Sequence, residues 1–374
     1  MWRTAYVFYL CWVLCASAAA QSATKPTKES ATPSSSAQVN SKNAKDKPIK
    51  TSVGHLLRIQ TIQTPTEMAD TFFPPMKCDG DGNLYFQSNP ALPAIHKLNP
   101  KGERLALFSP TANPDLKIDF SMAFAVAPGG DLYELVFPHE ITRYVFAYKA
   151  DGRLAATVKL EPGFAWSPHR LAVFPDGNLL VSGSEYDKDP LAPRWPFTGI
   201  FASDGRLLKE VKLKADNTLH EMAVTGDARV AVTGNTTANR AVDLSELEVG
   251  GDGNAYLMRW TNPALFYVIS AGGEVVREFA VDPGDSAYRP GAMHVTQNRI
   301  AILFWDKQND DRLMKIVDLE GHDLATYEEL RANGRPVNEP IGAVFACYTL
   351  NPERFTFFGS DDNGRVQLWI AAPR

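Results

Sequence analysis

Residues 171–183 read LAVFPDGNLLVSG, which is two short apolar runs on either side of Pro-Asp-Gly-Asn. Glycine and asparagine tolerate the positive φ of tight turns, so this stretch predicts a β-hairpin. Near copies of the stretch are MKCDGDGNLYFQS at 76–88, FAVAPGGDLYELV at 124–136 and LEVGGDGNAYLMR at 247–259. The chain uses one hairpin several times, which indicates a repeat fold.

A second kind of hairpin follows each of these four stretches. Its examples are IHKLNPKGERLALF, VFAYKADGRLAATVKL, GIFASDGRLLKEVKL and FYVISAGGEVVREFAV, again with a glycine turn between two strands. The two kinds alternate, so each unit has four strands. Two further units have weaker turns: MHVTQNRIAILF with LMKIVDLEGHDLATYEEL, and FACYTLNPERFTFFG with RVQLWIAAP.

The turn glycines of the first kind set the length of the repeat. Gly82, Gly130 and Gly177 recur at a nearly constant interval, and a four-stranded repeat of about 40–50 residues is typical of a β-propeller. The units together predict an all-β fold, a six-bladed β-propeller that covers residues 54–374.

The sixth unit has one strand too few, and residues 56–64, LLRIQTIQT, form a spare strand near the other end. We expect this N-terminal strand to pair with residues 365–371 and to close the ring as the outer strand of the last blade. Closure protects a seam that would otherwise be an exposed sheet edge. Leu56, Ile59 and Ile62 are the apolar residues that it is expected to bury.

A long interval between Gly177 and Gly253 leaves an alternative open. It contains LHEMAVTGDARVAVTG, which is similar to the stretch at 171–183 and would serve as the first hairpin of a seventh blade. No second hairpin follows it. Six blades with an insertion around residues 216–242 are therefore preferred, and seven blades are the alternative.

The paired stretches FFPPMKCDGDGNLYFQSN with IHKLNPKGERLALF, and MAFAVAPGGDLYELV with YVFAYKADGRLAATVKL, resemble NHL-type repeats of six-bladed propellers. The resemblance covers roughly residues 54–374 and implies the propeller architecture. That family includes protein-binding scaffolds and a zinc-dependent lyase, and its relatives include calcium-dependent lactonases. The resemblance therefore implies a fold and leaves the activity open.

The N-terminal 50 residues have a different composition from the rest. Residues 1–20 show a basic start, an apolar run and small residues, which predict a signal peptide and a secreted or periplasmic protein. The apolar run is shorter than the roughly 18 residues that span a bilayer, and no later segment predicts a transmembrane helix. Residues 21–50 have few large apolar side chains and are expected to form a disordered linker.

Charge weighs against nucleic acid as a partner. The first 50 residues carry seven basic and two acidic side chains, whereas the remainder carries 31 basic and 41 acidic ones. Binding to phosphate backbones requires clustered lysine and arginine, which this acidic body does not offer.

An enzyme at the central channel, either a metal-dependent hydrolase or a metal-dependent lyase, is the alternative function. His169, His220 and His294 stand near the starts of predicted inner strands, an arrangement that resembles the lyase. The lactonase-like relatives place an acidic residue at the start of the first blade, where Asp70 is the nearest carboxylate. Residues 79–83, DGDGN, lack the spacing of a calcium loop and predict a turn. The sequence predicts no cofactor.

Cys78 and Cys347 are the two cysteines beyond the signal peptide. Both fall in the innermost strands of neighbouring blades if the ring closes as expected. A disulfide between them is a possible staple of the seam, since disulfides persist in exported proteins. Burial as two free thiols is the alternative.

The leading interpretation is a binding protein without catalytic activity, whose partner is an unknown protein or small molecule. Aromatic and basic side chains dominate binding hot spots, and several map to the loops of one propeller face. The alternative is that the tryptophans pack between blades. The candidate binding residues are Trp166, His169, Tyr186, Arg194, Trp195, Trp260, Arg289, His294 and Trp305.

Overall fold

The computed structural model describes the backbone of residues 53–64, 73–87, 94–138, 142–185, 195–213, 246–306, 308–329, 331–332, 335–336, 341, 344–361 and 365–374. The predicted signal peptide, the predicted linker and the 216–242 insertion lie outside these residues. Within the described ranges the chain is all-β, with a single short 3-10 turn at Pro110–Ala112. No helix of this part of the chain has the length and apolar character to span a bilayer.

A first strand, β1 (Val53–Gln63), precedes four antiparallel sheets of four strands each, in which the strands lie in chain order. The first two sheets consist of β2 (Phe73–Cys78), β3 (Leu84–Gln87), β4 (Ile95–Leu98) and β5 (Arg104–Phe108), then β6 (Ile118–Val126), β7 (Leu132–Pro138), β8 (Arg143–Tyr148) and β9 (Leu154–Leu160). The next two consist of β10 (Trp166–Val173), β11 (Leu179–Glu185), β12 (Trp195–Phe201) and β13 (Leu207–Glu210), then β14 (Glu246–Val249), β15 (Ala255–Arg259), β16 (Ala264–Ile269) and β17 (Val275–Val281).

The remaining long strands form one eight-stranded sheet that also contains β1. Its other members are β18 (Arg289–Val295), β19 (Arg299–Asp306), β20 (Asp311–Asp318), β21 (Asp323–Glu329), β24 (Val344–Leu350), β25 (Glu353–Ser360) and β26 (Val366–Pro373). A two-residue pair, β22 (Arg331–Ala332) with β23 (Arg335–Pro336), lies in the connection. β1 pairs in parallel with β21 over four residues and antiparallel with β26 along most of its length.

The first strands of the successive groups adjoin one another in a cycle. β2 contacts β6, β6 contacts β10, and the series continues through β14, β18 and β24 back to β2. This gives a propeller-like arrangement around a central channel. The predicted all-β propeller class is confirmed in this coarser form.

The predicted hairpins are present, with glycine at positive φ in their turns. Gly177 has φ 85° between β10 and β11, and Asn178 and Asp176 close the turn through a side-chain hydrogen bond of 2.8 Å. The DGDGN stretch is likewise a turn, in which the Asp79 carboxylate accepts hydrogen bonds from the backbone N–H groups of Asp81 and Asn83. The Asp79 carboxylate therefore stabilises the turn.

Burial along a strand follows its position within the sheet. Second strands such as β15 are buried at every residue, because neighbouring sheets cover both of their faces. Fourth strands such as β17 alternate between partly buried and exposed residues, because one face is open to solvent. The continuous and alternating apolar patterns of the sequence thus reflect inner and outer strands.

The turn between third and fourth strands packs on the outer strand of the preceding group. A Cβ on Gly205 would lie 1.9 Å from the Lys159 carbonyl oxygen of β9. A Cβ on Gly102 would lie 2.5 Å from Ile62, which belongs to β1. The first sheet therefore packs on β1 in the same way as the third sheet packs on the outer strand β9.

β1 contacts core clusters on both of its faces because of a β-bulge. Its register with β26 shifts between Arg58 and Gln60, so Ile59 is the extra residue. Leu56 on one face packs in a cluster with β19 and β20 residues, and Ile62 on the other packs with Met76 and other residues of the first sheet. The expected pairing with the last strand is present.

The expectation that Ile59 is buried is wrong. Leu56 and Ile62 are buried, whereas Ile59 is 52% exposed. The physical reason is the bulge, because Ile59 is the inserted residue and has no partner on β26.

Replacing Leu56 with alanine should destabilise the protein by about 2–5 kcal/mol, because it removes a fully buried side chain at the seam. Ile59→Ala, on the same strand, is the matched control and should change stability by no more than about 0.5 kcal/mol. Urea denaturation measures both. Equal losses in the two variants would contradict the packing described for β1.

Gly205→Ala should cost more stability than Gly177→Ala. Both residues have φ between 85° and 90°, so each alanine incurs a left-handed backbone cost of about 1–2 kcal/mol. Only Gly205 meets a neighbouring strand, since the nearest atom to a Cβ on Gly177 is 3.9 Å away. The expected difference in unfolding free energy is at least about 1 kcal/mol, and indistinguishable denaturation curves would refute the inter-sheet contact.

Candidate functional site

The central channel holds a small cavity of about 60 Å³. The first strands of five groups contribute its walls, and most of the lining residues have apolar side chains. Its lining residues are Lys77, Cys78, Ala125, Val126, Ala172, Val173, Leu247, Glu248, Val249, His294 and Val295. Three of these residues are polar or charged and lie close together.

Lys77, Glu248 and His294 form a buried chain of ion pairs and hydrogen bonds. Lys77 Nζ donates to Glu248 Oε1 at 2.8 Å, and Glu248 Oε2 lies 3.1 Å from His294 Nδ1. The same carboxylate oxygen accepts the backbone N–H of Val295 at 2.7 Å. Glu246 lies 3.7 Å from Lys77 Nζ and adds a second negative charge. The cluster joins three groups of strands, since its members lie on β2, β14 and β18.

Mutual attraction keeps Lys77 and Glu248 charged despite burial. Burial disfavours the carboxylate of Glu248, but Lys77 and His294 outweigh that cost and lower its pKa to about 2. Burial also opposes the charge on Lys77, yet Glu248 and Glu246 raise its pKa above the ordinary value. Buried charges of this kind stay ionised only as long as each partner is present.

A disulfide between Cys78 and Cys347 stands beside this cluster. It joins β2 to β24, with a Cα–Cα distance of 5.5 Å and a sequence separation of 269. A cross-link over so long a loop contributes about 5 kcal/mol in the chain-entropy account. Cys78 Sγ lies 3.2 Å from His294 Nε2, so the imidazole contacts the disulfide with one nitrogen and Glu248 with the other.

The three histidines proposed as metal ligands do not form one group in the described residues. His294 lies in the channel, His169 lies 3.4 Å from the Ser184 hydroxyl on β11, and His220 is outside the described residues, as is Asp70. Within the described ranges, Cys78, His294 and Cys347 are the group whose donor atoms approach one another within 4.8 Å.

Sequence reasoning missed Lys77 and Glu248. A signal for them exists, because the repeats align on one apolar residue of each inner strand, and the residue that follows it is either alanine or polar. The residues at this position are Lys77, Ala125, Ala172, Glu248, His294 and Ala346, and all of them except Ala346 line the channel cavity. The next position is valine in four repeats and cysteine in the other two, Cys78 and Cys347.

The tryptophans of the predicted loop face have different environments. Trp166 is buried in a core cluster with Phe137 of the second sheet, so it packs between sheets as the alternative interpretation had it. Trp195 begins β12, and only its backbone is described. Tyr186 and Arg194 lie outside the described residues.

Trp260, Arg289 and Trp305 lie on connected segments, which we name the loop patch. Trp260 follows β15 and is 41% exposed. The neighbouring Asn262 donates to the Tyr288 carbonyl at 2.7 Å and so ties the Trp260 loop to the start of β18. Arg289 is exposed and pairs across the sheet with Trp305, which is partly buried. The patch thus presents two indole rings and a guanidinium on one side of the molecule.

A second aromatic feature, which sequence reasoning missed, lies at the same ends of the second sheet. Phe120 is 42% exposed and stacks on Phe137 with ring centroids 4.6 Å apart. The Arg143 guanidinium lies 4.4 Å from the Phe137 ring. Exposed aromatic and basic groups therefore occur at the loop ends of two different sheets.

No family model matches the chain, and no curated protein gives a significant match. Among solved structures it is similar to the PQQ-bound aldose sugar dehydrogenase of Streptomyces coelicolor, at 11% identity over 86% of this chain and 98% of that chain, with TM-score 0.47. A protein of unknown function from Bacteroides caccae is 14% identical over 68% and 80%, with TM-score 0.42. Function is therefore a question for the site itself.

Replacing Lys77 with methionine should lower the free energy of unfolding by about 3–5 kcal/mol, because it leaves a buried Glu248 carboxylate without its lysine. The double variant Lys77→Met/Glu248→Gln should recover much of the loss, since the amide oxygen still accepts from Val295 N–H. Chemical denaturation at neutral pH compares the three proteins. A double variant as unstable as Lys77→Met alone would show that the unpaired Glu248 charge is not the cause of the lost stability.

Proposed function

We propose that the chain is an exported six-bladed β-propeller that binds a protein or small-molecule partner through one loop face, without catalysing a reaction. Support for six blades comes from the eight-stranded sheet, which divides into β18–β21 and β24–β26 with β1. Only four residue pairs of the parallel β1–β21 contact link the two halves. The cyclic contacts of the six first strands support the same count.

The single observation that carries the binding proposal is the loop patch. Trp260, in the loop after β15, and Arg289, at the start of β18, are both exposed, and the hydrogen bond from Asn262 to the Tyr288 carbonyl ties their segments together. Tryptophan and arginine bury a large area with little loss of rotamer freedom, which is why they dominate binding hot spots. The loops are anchored by the sheets beneath them, so binding there requires little ordering.

The channel supports binding less well than the loop patch. Its charged groups already satisfy one another, with Lys77 and His294 both paired to Glu248. The cavity of about 60 Å³ is small beside the 300–1,000 Å³ typical of ligand pockets. A partner that binds at the loop face is not restricted by the paired charges of the channel or by its small volume.

Export is supported by the signal-like pattern of residues 1–20 and by the Cys78–Cys347 disulfide. Disulfides form and persist in oxidising compartments such as the periplasm or the cell exterior. A secreted or periplasmic location therefore agrees with both the signal-like pattern and the disulfide.

The double variant Trp260→Ala/Arg289→Ala tests the proposed face. Immobilised wild type should retain a partner from the exported fraction of the producing cells, and isothermal titration with the purified partner should give at least about tenfold weaker binding for the variant. Val276→Ala, which removes an exposed apolar side chain on the outer strand β17, is the control and should bind as wild type does. Unchanged affinity in the double variant would exclude this face.

A further inference from the structure

We propose that the channel contains a latent metal site, in which Cys78, Cys347 and His294 bind a thiophilic divalent cation of the Zn²⁺ type once the disulfide is reduced. This inference concerns the channel and is independent of binding at the loop patch. It names a ligand class for the one buried cysteine and histidine cluster of the described residues.

The sulfur and nitrogen donors are already close to the spacing that such a site needs. Zn–S bonds of about 2.3 Å and Zn–N bonds of about 2.0 Å at tetrahedral angles place sulfur and nitrogen donors about 3.5 Å apart. Cys78 Sγ and His294 Nε2 are 3.2 Å apart, and Cys347 Sγ, which is bonded to Cys78 Sγ in the disulfide, lies within 4.8 Å of His294. Reduction releases both sulfurs from their mutual bond and makes them available as thiolates.

His294 is held in the orientation that a ligand requires. Its Nδ1 faces the Glu248 carboxylate at 3.1 Å, so Nδ1 carries the proton and the Nε2 lone pair is directed at Cys78. Metal-binding histidines characteristically donate their other N–H to a carboxylate in this way. Lys77 and Val295 N–H bind Glu248 in turn, so the carboxylate itself is fixed.

The cation has a route to these atoms. Cys78 and His294 line the channel cavity, and Cys347 lies directly behind them with 1% of its surface exposed. Three protein ligands leave the fourth position of a tetrahedral ion open, as in catalytic zinc sites. Glu248 and Lys77 also line the cavity but pair with each other, and the remaining lining residues are valine, alanine and leucine, which offer no donor side chain.

The reduction step balances with a dithiol as the reductant. One thiolate of the dithiol attacks a sulfur of the Cys78–Cys347 bond, and the mixed disulfide is resolved by its second thiol. The dithiol becomes a disulfide, and two electrons and two protons pass to the cysteines. Binding of the divalent cation then displaces the two thiol protons to water.

The experiment uses the full chain with Cys11→Ser and Cys15→Ser, so that its only cysteines are Cys78 and Cys347. The protein is reduced with a dithiol, freed of reductant without air, and titrated with Co²⁺ as a spectroscopic probe, followed by Zn²⁺ competition. One Co²⁺ per chain with sulfur-to-cobalt charge-transfer absorption is the expected result. The oxidised protein should show no such absorption and no free thiol when denatured.

Three substitutions separate ligation from structure. His294→Gln should weaken Zn²⁺ binding more than Glu248→Gln, and Glu248→Gln should weaken it about 10–100-fold while the charge-transfer band persists. His322→Gln is the matched control, since His322 also pairs with a carboxylate, Asp318, at 2.9 Å but stands exposed on the surface. It should bind as the parent does.

Two outcomes would overturn the proposal, and neither depends on a variant that folds poorly. The first is reduced parent protein without a charge-transfer band, and the second is an equal band in the oxidised protein. An unchanged Zn²⁺ affinity in a folded His294→Gln variant would also overturn it. None of these results bears on binding at the loop patch.

Discussion

Closure of the seam between the two ends of the chain is the constraint on which the rest of the structure depends. On the outside β1 completes the sheet of β24–β26, and on the inside a disulfide joins β2 to β24. One link joins outer strands and the other joins inner strands. Together they hold the seam closed both at the periphery and at the channel. The channel cluster requires this closure, because Lys77 and His294 come from groups far apart in sequence.

The channel concentrates polarity in a molecule that is otherwise built from apolar strands. One repeat position lines it from five inner strands, and alanine fills that position on β6 and β10. The three polar exceptions, Lys77, Glu248 and His294, satisfy one another through contacts of 2.8 and 3.1 Å. Burying one of these polar groups without its partner would be costly, so the three residue choices depend on one another.

The two ends of the strands serve different purposes. Glycine turns occupy one end, where tight reversal and contact with the preceding outer strand leave no room for a Cβ at residues such as Gly205. The other end carries the longer loops and the exposed rings of Trp260 and Phe120. Structural constraints therefore fall on the turn end, and the loop end is free to carry recognition groups on a rigid base.

The sequence by itself determined the all-β class and the hairpins, because these follow from local periodicity and glycine turns. It also predicted the pairing of the first strand with the last, because the last unit lacks one strand. It also indicated which strands are inner and outer. The tertiary structure alone decided that Ile59 is exposed, since a bulge is a property of the paired register and not of one strand. It also decided that Trp166 is core and that Lys77 meets Glu248, because contacts between distant repeats depend on how the ring closes, and no local pattern encodes that geometry.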